Sequence, residues 1–275
     1  RAALLKIRIL TALIIFPATL AAVFLAPPWL FRLIVAVLLM AGCWEFRRIA
    51  DLTAQAGWTL VILQGLLFAW MLWSWPMAGQ DAVLLLAAGC LTWLAMFGRL
   101  AMFRTGAKPD ESYRRLGFLS AIGALTFCWI ALSWLRDLPR GEVVVFLLFL
   151  VIWASDVGAY FAGRAFGRRK LAPVISPKKT WEGVYGGALL AIAAAFLLAN
   201  VLAGLDLPPL GLVLMSLVTT LSSVGGDLFI SVHKRTVGLG DTGTLFPGHG
   251  GILDRYDSLL AGAPFFALAY ALFIL

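Results

Sequence analysis

"FPGHGGILDRYDSLLAGAPFFALAYALFIL", from Phe246 to Leu275, sets Asp254, Arg255 and Asp257 directly against an apolar run long enough to enter a bilayer. The same arrangement recurs through the chain. Of its 275 residues 62% are hydrophobic and 13% charged, with a mean hydropathy of +0.94. A soluble domain carries about 25% charged residues. The apolar residues fall in continuous blocks close to the ~20 needed to cross a ~30 Å hydrocarbon core. Continuous blocks rather than alternating ones exclude a transmembrane β-barrel. The sequence therefore predicts an all-α, polytopic integral membrane protein with nine transmembrane helices. They run about 7–25, 29–44, 58–75, 81–98, 116–135, 142–162, 183–203, 208–230 and 256–275. The second is short enough to cross only partly. The first reads as a helix rather than a cleaved leader, because it lacks a small-residue cleavage site. One membrane domain is expected over 1–275, with N-terminal helices in 1–135 and the chemistry in 136–275.

Basic residues set the orientation. With the N-terminus in the cytoplasm, 19 of the 22 lysines and arginines fall in inside segments, and only Arg136 and Arg140 fall in outside loops. The net charge of +8 is thus topological and calls for no nucleic acid. Cys43, Cys90 and Cys128 lie in apolar segments without metal-ligand spacing and read as packing residues. Two segments rich in polar residues come out cytoplasmic. They are "SDVGAYFAGRAFGRRKLAPVISPKKTWEGVYGG" (Ser155–Gly187) and "GGDLFISVHKRTVGLGDTGTLFPGHGGILDRYD" (Gly225–Asp257).

These segments hold charges in costly places. Asp156 and Asp227 fall within or at the edge of apolar runs, where a carboxylate costs ~2.5–3.5 kcal/mol or more. Asp227, Asp241, Asp254 and Asp257 cluster in one region, mixed with Lys234, Arg235, His249 and Arg255. Mg²⁺ is typically held by one or two carboxylates plus substrate phosphates. Carboxylates for a cation, interleaved with cations for anions, fit a metal–phosphate site, with Asp227 and Asp254 as the metal ligands. Asp254 and Asp257 share a face if the last helix has begun. Gly248, Gly250 and Gly251 leave backbone N–H groups open to an anion. In "ISPKKTWEG", Ser176 or Thr180 suits a helix cap, Glu182 suits the positive helix end, and Lys178 and Lys179 add phosphate-binding charge.

"SVHKRTVGLGDTGTLFPGHGGILDRYD" resembles the signature of the phosphatidate cytidylyltransferase (CDP-diacylglycerol synthase) family. The match is carried by Ser231, Lys234, Arg235, Asp241, Pro247, Gly248, His249, Gly250, Gly251, Asp254, Arg255 and Asp257. The Ser155–Gly187 segment is similar to the family's second hallmark. The resemblance implies transfer of a cytidylyl group from CTP to phosphatidic acid, giving CDP-diacylglycerol and pyrophosphate for phospholipid biosynthesis. It implies Mg²⁺, with room for a second cation, a homodimer among membrane lipids, and a site on the cytoplasmic side of a bacterial inner membrane. Lys234, Arg235, Asp241, His249, Arg255 and Asp257 fall at catalytic positions. Asp156, Ser176, Lys178, Lys179, Thr180, Glu182, Ser231 and the glycines fall at substrate-binding ones. Gly240 departs from the family, which has a lysine there. Either Lys234, Arg235 or Lys179 supplies the missing cation, or this form is slow or inactive. The rival functions are a transporter or channel with intramembrane carboxylates and a catalytically inactive homologue.

Overall fold

Apolar length dictates most of the architecture. The computed structural model describes residues 2–75, 80–101, 108–202, 205, 207–245 and 250–273. Among these lie nine α-helices: α1 (Ala2–Phe24), α2 (Pro28–Ile49), α3 (Ala54–Ser74), α4 (Gln80–Ala101), α5 (Glu111–Asp137), α6 (Gly141–Phe166), α7 (Trp181–Phe196), α8 (Pro209–Thr236) and α9 (Leu253–Phe273). Eight spans, from α2 onward, are long and apolar enough to cross a membrane. Within α1, Leu13–Phe24 forms a shorter apolar stretch. The all-α expectation holds, with one small addition. Strands β1 (Lys170–Ala172) and β2 (Ser176–Thr180) form an antiparallel hairpin between α6 and α7.

Two expectations need correction. Helix α2 is not short: it runs 22 residues, because Glu45 is buried inside the bundle and the Arg47 guanidinium lies 3.6 Å from the Trp44 ring centroid. Charges that look like a span end are here absorbed by packing and stacking. The eighth span runs past its expected end at 230. Asp156 lies inside α6, and α8 extends to Thr236, so Asp227, Ser231, Lys234 and Arg235 are all helical. Asp227 is consequently not at a helix end but about two and a half turns before it.

Small residues set the closest helix crossings, as is usual where lipid supplies no hydrophobic drive. A Cβ on Gly186 would stand 2.2 Å from the Ala162 Cβ, and one on Gly158 would stand 2.6 Å from the Gly186 carbonyl oxygen, so α6 and α7 meet backbone to backbone. Helices α8 and α9 do the same: a Cβ on Gly226 would stand 2.5 Å from the Asp257 carbonyl oxygen, and one on Gly262 would stand 2.5 Å from Ser223 Oγ. Around these pairs, α5 packs on α2, α4, α6 and α9 and contributes buried Leu125, Cys128 and Trp129 to the core. All three cysteines are buried and free. At the bundle end away from the hairpin, Arg32 Nη1 pairs with Asp137 at 2.6 Å.

Candidate active site

The Gly226 crossing brings Asp227 on α8 beside the first turns of α9. Helix α9 has begun by Leu253, so Asp254 and Asp257 are three residues apart on a helix and share a face. Together with Asp156 from α6 and Asp241 they line one cavity of about 570 Å³, with Lys234 and Arg255 on its wall. Asp227 and Asp257 act on each other electrostatically, and Asp156 feels both Asp227 and Lys179.

Lysines stand on two of these carboxylates. Lys179, delivered by β2, forms an ion pair with Asp227. Lys234 Nζ lies 2.6 Å from Asp254 Oδ1. Ser231 Oγ donates to Asp227 Oδ1 at 3.2 Å, one turn along α8. Asp254, its side chain only 4% exposed, also fastens the preceding segment. Its Oδ2 accepts from Thr242 N at 2.8 Å and Gly251 N at 2.9 Å, with Thr242 Oγ1 3.0 Å away. Gly250 holds φ +84°, a left-handed backbone, with Asp254 Oδ2 2.7 Å from where its Cβ would be; glycine is required there.

The hairpin residues serve mainly to build the entrance to α7. Thr180 caps that helix, accepting from Gly183 N at 3.1 Å. The Glu182 carboxylate accepts from Arg169 N at 3.1 and 3.2 Å and ties the start of the hairpin to α7. Lys178 is exposed and Ser176 half-buried, both on β2. Arg235 is exposed at the end of α8 and outside the cavity wall. Gly248 and His249 lie outside the described residues. His233 is buried against Phe46, Phe229 and Tyr113 with its Nδ1 2.9 Å from the Phe229 carbonyl oxygen, a packing position away from the cavity. A second cavity of about 320 Å³, almost wholly apolar, lies among α1, α2, α5, α6 and α9. It shares Ile15, Thr19, Phe149, Tyr256 and Leu259 with the charged one, so the two adjoin.

Two contributors escaped the sequence. Glu45 and Thr242 are both buried; Thr242, in the segment before α9, bonds Glu45 and Asp254, and Glu45 bonds the amides of Ile252 and Leu253. The signal for Glu45 was present. The cost of an acid in an apolar run, which singled out Asp156 and Asp227, applies equally to "AGCWEFRR".

A bundle of apolar helices with carboxylates and ammonium groups gathered in one internal cavity defines a class: a polytopic integral membrane protein with a polar reaction chamber. The chain belongs to the cytidylyltransferase family, whose pattern covers residues 6–273, and it is therefore a nucleotidyltransferase. It is 36% identical to a phosphatidate cytidylyltransferase of Haemophilus influenzae over 97% of this chain and 99% of that one. It is 38% identical to the Pseudomonas aeruginosa phosphatidate cytidylyltransferase over 96% of each chain. The Bacillus subtilis protein of the same description is 34% identical over 78% of this chain and 81% of its own.

Proposed function

We propose that the protein is a Mg²⁺-dependent CTP:phosphatidate cytidylyltransferase acting at the cytoplasmic face of a bacterial inner membrane. One observation carries this beyond family membership: the charged cavity adjoins the apolar one, with five lining residues in common. A substrate that fills both has a phosphate at one end and hydrocarbon at the other, as phosphatidic acid does. A transporter of small ions has no use for the apolar annex. The basic bias of the segments flanking α6–α9 supports a charged cavity on the side where CTP is found.

In the reaction, a phosphatidate oxygen attacks the α-phosphorus of CTP. The new P–O bond forms as the bond to pyrophosphate breaks, and pyrophosphate departs with the electron pair. The lipid phosphate is already anionic, so no strong base is required. The obstacle is repulsion between two polyanions, which positioning and fixed charge overcome. Lys179, Lys234 and Arg255 neutralise phosphate oxygens, while α8 and α9 fix the acidic groups between them.

The donor set fits Mg²⁺. Every acidic group on the cavity is a hard oxygen donor, and the lysines on Asp227 and Asp254 occupy places a cation takes. Among the described residues no three acidic groups are gathered as a ready-made ion site, so substrate phosphate and water would have to complete the shell of a Mg²⁺ ion. Asp227 and Asp254 would hold it, and its charge would offset the repulsion between the substrates. A homodimer is the assembly the family resemblance implies.

The decisive experiment incubates the detergent-purified protein with radiolabelled CTP and phosphatidic acid. Label passes into the organic phase with Mg²⁺, stops with excess EDTA and resumes when Mg²⁺ is restored. Flux of ions without lipid-soluble product would identify a transporter, and neither would identify an inactive homologue.

Gly240 is no obstacle to activity on steric grounds, and it also leaves room for improvement. Nothing lies within 4 Å of where its Cβ would be, and its φ is not left-handed. Gly240→Lys therefore folds normally and places an ammonium beside Asp241 at the cavity. It raises kcat by up to about tenfold, the worth of one charge-assisted contact of ~1.4 kcal/mol. An unchanged rate in the same assay assigns that cation's role to Lys234 or Lys179.

A further inference from the structure

Helix α9 carries two of the acidic groups on the cavity, yet its own sequence does not cap it. The residue at the cap position is Ile252, whose carbonyl accepts from Arg255 N at 3.0 Å and Tyr256 N at 3.1 Å and whose side chain can accept nothing. The first N–H groups of a helix need acceptors. They find one on a different helix. Glu45, on the last turns of α2 and 6% exposed, accepts from Ile252 N at 2.9 Å through Oε1 and from Leu253 N at 3.0 Å through Oε2. A carboxylate at a helix N-terminus also meets the positive end of the helix dipole.

The same carboxylate grips the other flank of the segment. Thr242 Oγ1 donates to Glu45 Oε2 at 2.7 Å and lies 3.0 Å from Asp254 Oδ2. A Cβ on Gly243 would be 2.3 Å from Glu45 Oε1, and one on Gly251 would be 2.2 Å from Glu45 Oε2, so both glycines are where they are because the acid lies against them. Glu45 thus clamps the chain at 242–243 and again at 251–253. Between those clamps runs the segment that joins Asp241 to Asp254, both on the cavity wall.

We propose that Glu45 is a positioning residue for the reaction. By fixing the start of α9 against α2 it sets where Asp254 and Asp257 stand relative to Asp227, without itself touching substrate. This deepens the function proposed above and rests on it. It also gives the N-terminal helices a part in the chemistry.

The test compares wild type with Glu45→Gln, Glu45→Ala and Thr242→Val in detergent. Three quantities are measured: kcat, KM for CTP, and backbone amide exchange in peptides covering residues 250–258 and, as reference, α3 and α5. Glutamine can satisfy one of the two amides but presents an NH₂ to the other. Glu45→Gln is expected to lower kcat by about tenfold and Glu45→Ala by about a hundredfold, with KM for CTP held within about threefold. Exchange quickens at Ile252 and Leu253 and stays put in α3 and α5. Thr242→Val lowers kcat in the wild-type background and adds nothing in Glu45→Ala, because both act through one clamp. Wild-type kcat in folded Glu45→Ala overturns the proposal. So does exchange that quickens throughout the bundle while kcat falls only with the amount of folded protein. Wild-type protein without lipid product sinks the enzymatic function instead, and the exchange pattern then decides the clamp by itself.

Discussion

Asp227→Asn lowers turnover by about 10³-fold while the protein inserts, purifies and melts as wild type does. The magnitude is that of removing one preorganised charge-stabilising group, about 4 kcal/mol of barrier. The fold is spared because Asp227 supports little besides Ser231 and Lys179, and asparagine keeps its volume and an oxygen for Ser231. Lys179 is left without its carboxylate but is 24% exposed, so solvent takes up much of the loss. Asp254→Asn makes the informative contrast. That carboxylate is the acceptor for two backbone amides and an ammonium, so its loss lowers both turnover and melting temperature. Turnover and thermal melting of the two purified variants at ordinary Mg²⁺ decide the matter. Near-normal rates in Asp227→Asn would remove it from the proposed cation site.

Gly226→Leu is expected to abolish detectable product, a fall of at least about 10²-fold, and to lower stability by ~1–3 kcal/mol, the usual cost of overpacking. Even the first added carbon would stand 2.5 Å from the Asp257 carbonyl oxygen and 2.9 Å from the Ala261 Cβ. Neither neighbour is a flexible side-chain tip, so α8 and α9 must separate. Separation moves Asp227 away from Asp257, and a near-attack geometry tolerates little displacement. Gly98→Ala is the control: nothing lies within 4 Å of its Cβ, so activity and melting should match wild type. If Gly226→Leu retains wild-type turnover, the close crossing does not set the spacing of the acidic groups.

The helices were legible because a membrane span is a matter of length and apolarity, which a linear sequence displays directly. Their ends were less so. The sequence ends the second span at 44 since Glu45, Arg47 and Arg48 follow, yet burial of the first and stacking of the second carry the helix to Ile49. The acidic residues on α6, α8 and α9 announced themselves by the cost of a charge among apolar neighbours. Their partners did not. That Lys179 meets Asp227, or that Glu45 meets Ile252, depends on where glycines let backbones touch, and no spacing along the chain encodes that. Thr180 as a helix cap could be anticipated from local chemistry alone, whereas the hairpin that presents Lys179 could not, its strands being three and five residues long.

The two ammonium–carboxylate pairs, Lys179 with Asp227 and Lys234 with Asp254, bear on the protein at rest. Each acid carries an internal counter-ion on a tether. Between catalytic cycles these two pairs offset part of the negative charge that five aspartates bring to the chamber. Substrate arrival then becomes an exchange of partners: the tethered cations swing from protein acid to incoming phosphate, and the acids they release become free to ligate.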